Sequence, residues 1–140
     1  MSVLVAGEVL LQESYVEITY SSREKIIIAR WKGFLTVEQT RRGCELMSKV
    51  IAEKGLSRHL SDHAELRILG REVQEYLVGT WFYEVERLGL RKIAVRVAAD
   101  IFAKATVQKV NTEQQYGQLS ITTFGSCDAA VKWLKQEEES

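Results

Sequence analysis

The chain has 140 residues, 46% apolar and 27% charged, with 19 basic and 19 acidic side chains and a formal net charge of zero. That size and balance fit one globular domain spanning 1–140 and exclude a disordered or fibrous chain. A neutral domain has no global field to draw a polyanion, so nucleic acid is not an expected partner.

No apolar run approaches the roughly 18 residues of a membrane span. The opening residues also lack the basic and apolar regions of a secretory signal, so a cytoplasmic location follows by elimination. Cys44 and Cys127 are the only cysteines. They form neither a metal-binding repeat nor a disulfide framework, and reduced core thiols are expected.

In chain order, residues 1–13 read as an extra strand or arm, with Gly7 interrupting the pattern. Tyr15–Tyr20 alternates with period two, and Lys25–Trp31 is a second β-branched run after a short polar turn. The two predict an antiparallel hairpin. Thr36 and Gln39 then form a capping box, in which each side chain satisfies a backbone N–H at the helix start. The helix they open places Val37, Thr40, Cys44, Met47 and Ile51 on one face, and Gly55 should stop it.

A short strand is expected over Arg58–Asp62, ending at Asp62. A long helix follows from Gly70 to Leu88, closed by Gly89, with Val73, Leu77, Trp81, Val85 and Leu88 as its inner stripe. Lys92–Ala98 is a strand, and Asp100 is placed to cap a helix from Ile101 to Val110. Gln118–Phe124 is the last strand. Ser126 opens a closing helix with Ala130, Val131 and Leu134 inward, and the tail 136–140 should fray. The fold class is therefore α/β: a mixed sheet of about five strands, a hairpin followed by alternating strands and helices, covered by four helices.

This order of elements resembles the STAS domain, and more narrowly the small bacterial STAS-like (SpoIIAA-like) proteins. The resemblance rests on Tyr15–Tyr20, Trp31–Phe34 with the Thr36-Val37 helix start, Leu60-Ser-Asp62 and the helix Ala129–Leu134. It implies a protein-interaction or regulatory module. Antagonist STAS domains carry a phosphorylatable serine, usually within Asp-Ser-Ser-Gly, at the start of the helix after the third strand. Here His63 follows Asp62, so the resemblance does not extend to that switch.

The densest polar cluster is Arg58–Glu65, which holds both histidines of the chain. A metal site built from His59, Asp62, His63 and Glu65 is disfavoured, because in a strand the two histidines lie roughly 13 Å apart. A Ser61-Asp62-His63 triad is disfavoured because adjacent strand residues point to opposite faces. The bland expectation is two partly solvated histidines and an aspartate capping the next turn.

The same cluster would nevertheless stand at the carboxyl end of a parallel strand, where open α/β sheets bind ligands. Asp62, His63, Glu65, Arg67 and Asp100 are accordingly candidates for a ligand rim. On the long helix, Tyr76 and Tyr83 fall together on a face apart from the inner stripe, and with Phe82 and Arg87 they form a candidate interaction surface. There is no phosphate loop, dinucleotide fingerprint, Cys-x-x-Cys or nucleophile elbow, so no cofactor, metal or enzymatic activity is expected.

Three functions compete. The first is a non-enzymatic interaction module docking a protein partner or a second copy of itself as a homodimer. The second is a small-ligand or lipid carrier, resembling CRAL-TRIO domains, which requires a cavity between sheet and helices. The third is an unfamiliar enzyme, which requires Asp62, His63 and Glu65 to converge.

Overall fold

A computed structural model describes residues 7–108 and 112–136. The expectations for residues 1–6, for the end of the helix expected from Ile101 to Val110 and for the tail at 137–140 lie outside that range. The described chain builds one mixed sheet of seven strands in the order β1-β2-β3-β4-β5-β7-β6. The strands are β1 (Glu8–Glu13), β2 (Val16–Ser21), β3 (Ile26–Phe34), β4 (Arg58–Ile68), β5 (Lys92–Arg96), β6 (Glu113–Tyr116) and β7 (Leu119–Phe124).

The first three strands form an antiparallel meander, while β3, β4, β5 and β7 run parallel. At the far edge β6 folds back antiparallel on β7. Strand β3 therefore stands between two regimes, with a hairpin partner on one side and a crossover partner on the other.

The expected α/β class is what the chain adopts, with two strands beyond the five counted: β1, within the stretch read as an extra strand or arm, and β6, which was not expected. Both additions are edges. In β6, Glu-Gln-Gln-Tyr has no apolar alternation, since only Tyr116 is even half-buried. In β1 the run is short and carries a register shift between Val9 and Leu11.

Helix α1 (Val37–Lys54) starts at the predicted capping box: Gln39 N–H donates to Thr36 Oγ1, and Thr36 N–H donates to Gln39 Oε1, each at 3.1 Å. It stops at Gly55 in the left-handed conformation, φ 62°. Its buried face carries Thr40, Cys44, Met47 and Ile51, as the periodicity predicts, with Gly43 set against the Trp31 ring.

The second long helix is not uniform. It comprises α2 (Arg71–Tyr76), a π-helical stretch (Leu77–Trp81) and α3 (Phe82–Leu88), ending at Gly89 with φ 109°. Phe82 N–H bonds back to the Leu77 carbonyl, the i→i+5 spacing of a π-turn.

Helices α1 and α2–α3 cover one face of the sheet, where Cys44, Met47, Ile51, Trp81 and Val85 pack on Val16, Ile18, Ile27, Ala29 and Ile93. Trp81 ties the two together, donating from Nε1 to the Cys44 carbonyl at 3.1 Å and to Ser48 Oγ at 2.9 Å. Helix α5 (Cys127–Lys135) closes the other face, with Ala130, Val131 and Leu134 buried on Ile26, Ile28, Leu60 and Ala94.

Helix α4 (Ala99–Val107) begins earlier than expected. Ala98 occupies the cap without a side-chain hydrogen bond, and Asp100 lies inside the first turn, so it is not the cap. Its charge there still complements the positive end of the helix dipole. None of α4's residues is buried.

Candidate functional site

Strand β4 is the element that organises the site, and it does not end at Asp62. It continues to Ile68, pairing with Lys32–Phe34 of β3 through Glu65–Ile68. Asp62 is consequently a mid-strand residue and caps no turn between elements. Its Oδ1 instead accepts from Ala64 N–H at 3.0 Å, across a register shift where two residues of β4 stand opposite one of β3. Such a shift behaves as a β-bulge, which re-aims the side chains around it.

Strand alternation divides the polar cluster between the two faces of the sheet. His59, Ser61 and His63 turn toward α1 and α2–α3, and Leu66 rejoins them after the bulge. Asp62 turns toward α5, where its carboxylate lies 3.3 Å from Arg96 Nη1, 3.9 Å from Arg30 Nε and 3.9 Å from the Cys127 thiol. Asp62, Ser61 and His63 therefore do not converge as a triad. Among the described residues, no group of three or more His, Cys, Asp or Glu side chains could hold a metal ion.

Of the two histidines expected to be partly solvated, His59 is fully buried and His63 is half-buried. His59 is 1% exposed. Its Nδ1–H donates to the Ile27 carbonyl at 2.8 Å, because a carbonyl can only accept. Its ring meets the Trp81 indole edge to face, with centroids 5.8 Å apart. Burial pushes its pKa down to about 4, opposed by the Ile27 hydrogen bond and reinforced by His63.

His63 is half-buried, with Nε2 at 2.8 Å from Ser61 Oγ. Burial takes it down to about 4 as well, against the opposing pull of the Asp62 charge. Both rings are neutral at physiological pH.

Between this face of β4, β5 and β7 and the α2–α3 run lies open space. An inner cavity of about 50 Å³ is walled by Trp31, Cys44, His59, Ser61 and Trp81 among others. It adjoins an outer cavity of about 240 Å³ that reaches β6, lined by Gln74, Val78, Gln114 and Thr123 among others. His63, Leu69, Leu77, Phe82, Val95 and Ile121 wall both. The π-turn supplies Leu77, Val78 and Trp81 to these walls, which fits the tendency of π-bulges to occur at functional positions.

The other candidates scatter. Glu65 and Arg67 are exposed on the β3–β4 extension, beside Phe34 and Ile68 in a shallow surface groove. Asp100 is exposed on α4. The expected rim is thus divided: His63 faces the cavities, Asp62 faces α5, and Glu65, Arg67 and Asp100 face solvent.

The expected tyrosine stripe is divided too. Tyr76 is half-buried against the core with the Arg41 guanidinium 5.4 Å from its ring centre, and burial pushes its hydroxyl up to about 12. Phe82 is half-buried and packs on Tyr116 at 5.1 Å. Tyr83 is 57% exposed, Arg87 is exposed, and Leu88, expected inside, is 36% exposed. The π-turn inserts extra length between Tyr76 and Tyr83, so the rotation of about 100° per residue that puts them on one face no longer holds.

A scan of protein-family models and a search of curated proteins find no match to this chain. No helix among the described residues is long and apolar enough to cross a membrane.

Proposed function

We propose that this chain is a STAS-like, non-enzymatic binding domain that holds a small, largely apolar molecule between its sheet and the Arg71–Leu88 helix. The observation that carries the reading is the outer cavity of about 240 Å³ with its apolar walls and the half-buried His63 at its inner end. Pockets for small molecules are mostly apolar with a few placed polar groups, and drug-sized ligands occupy roughly 300–1,000 Å³. The occupant is therefore smaller than a drug-sized ligand.

The STAS-like part rests on the order of elements, a β-meander followed by alternating strands and helices. A non-enzymatic role agrees with the polar groups of β4 pointing to opposite faces, since general acid–base or nucleophilic chemistry needs them within mutual reach.

Calorimetric titration with 2-naphthol tests the binding role. Saturable binding is expected in the wild type and is lost in Val95→Trp, which fills the space beside His63 while circular dichroism stays unchanged. Absence of saturable binding by the wild type of both 2-naphthol and naphthalene would overturn the reading.

Protein docking is the second reading, favoured by Tyr83 and Arg87, both exposed on the same helix, with Tyr83 57% exposed. It predicts a dimer by light scattering that Tyr83→Lys converts to monomer. A wild-type monomer at high concentration would remove self-association.

A further inference from the structure

The chemistry of the cavity walls narrows the occupant. Among the described residues, none of the side chains lining either cavity is Asp, Glu, Lys or Arg. The nearest carboxylate along the strand, Asp62, is on the opposite face and is engaged by Arg30 and Arg96. A charge brought between the sheet and the helix would thus be stripped of water and left without a counter-ion, which is strongly unfavourable.

Several polar groups at the walls already have protein partners. Gln74 Nε2 donates to the Leu69 carbonyl at 2.6 Å, Trp81 Nε1 donates to Cys44 and Ser48, and Thr40 Oγ1 donates to the Thr36 carbonyl. His63 differs. One ring nitrogen is held by Ser61, and the other, Nδ1, has no hydrogen-bond partner among the described residues and is not shut off from open space. His63 also walls both cavities, so a molecule lying across them passes its ring.

We infer that the occupant is electrically neutral and presents a hydrogen-bonding group, a hydroxyl or carbonyl, to the free ring nitrogen of His63. This deepens the binding role proposed above and rests on it. A neutral imidazole suits both kinds of group, because it donates from one nitrogen and accepts at the other. With burial holding His63 near a pKa of about 4, the ring brings no positive charge at neutral pH with which to pair an anion. Ser61 can either donate to Nε2 or accept from it, and that choice sets whether Nδ1 donates to a carbonyl or accepts from a hydroxyl.

Three probes of one shape separate the terms: naphthalene, 2-naphthol and 2-naphthoate, titrated calorimetrically at pH 7 into the intact protein. Expected is 2-naphthol binding at least tenfold tighter than either naphthalene or 2-naphthoate. In His63→Phe, which keeps an aromatic ring, the preference for 2-naphthol over naphthalene should disappear. In His63→Gln, which restores a polar group, part of it should return.

Equal affinity for 2-naphthoate and 2-naphthol would overturn the neutral-ligand inference and leave the binding role standing. An unchanged 2-naphthol preference in His63→Phe would overturn the assignment of His63. Failure of every probe to bind the wild type would remove both the binding role and this inference.

Discussion

Gly43 shows how closely α1 lies on the sheet. A Cβ at that position would stand 2.7 Å from the Trp31 ring, and the neighbouring Trp31 carbon and Ile18 Cδ1 would follow at 3.3 and 3.5 Å. Trp31 is 5% exposed and cannot retreat into solvent. Gly43→Ala should therefore cost about 1–3 kcal/mol through overpacking, despite alanine's better helix propensity. A urea titration checks this, and an unchanged midpoint would mean the ring has room to move. Residue types that signal by position were legible: Thr36 with Gln39, Gly55, Gly89 and Ser126 all terminate helices where the sequence places them. The histidines were not. Strand parity correctly divides Ser61 and His63 from Asp62, but parity does not say which face is buried. His59 enters the core because a carbonyl and an indole edge receive it there, and both partners are distant in sequence.

At the scale of one element, the π-turn decides how the second helix meets the sheet. Gly79 lies within it, is exposed, and has nothing within 4 Å of where a Cβ would be. Gly79→Ala should therefore be neutral or stabilising by up to about 1 kcal/mol. Deleting Gly79 is a different perturbation, because it removes the extra residue and swings Val73 and Tyr76 by about 100° relative to Trp81 and Val85. The deletion should lower stability, where Gly79→Ala does not, and abolish 2-naphthol binding. Thermal unfolding and calorimetry test the pair, and a deletion variant that binds normally would show that the π-turn does not shape the cavity. Periodicity located the helix and most of its inner stripe, yet it failed for Tyr76, Phe82 and Leu88. A count at 3.6 residues per turn assumes one kind of helix throughout, and no residue type marks the insertion. For the same reason β6 was missed, since its Glu-Gln-Gln-Tyr sequence pairs by backbone at an edge and buries almost nothing.

For the whole molecule, the two neutral histidines make stability depend on acidity. An unfolded imidazole titrates near 6.5, whereas His59 and His63 are held near 4 in the fold. Between those values the unfolded chain binds more protons, so the fold has full stability above about pH 6.5 and loses it as pH falls toward 4. For His59 the linkage amounts to about 3 kcal/mol over that window. Urea midpoints at pH 7, 5.5 and 4.5 should fall in that order, and His59→Gln should flatten the slope. A flat wild-type profile would show that the rings are solvated after all. The α/β class and the hairpin-then-alternation order were legible because β2, β3, β5 and β7 are distinct apolar or alternating runs. The cavity was not, because empty space is left by packing between elements and has no signature along the chain. The position of β3 has a last consequence, in time. Its contacts with β2 close across residues 22–25, whereas those with β4 close only around the whole of α1. Closing the longer loop costs more chain entropy, and non-local pairing is slower to form. One continuous sheet is thus assembled at two speeds, fast on the meander side of β3 and slow on the parallel side.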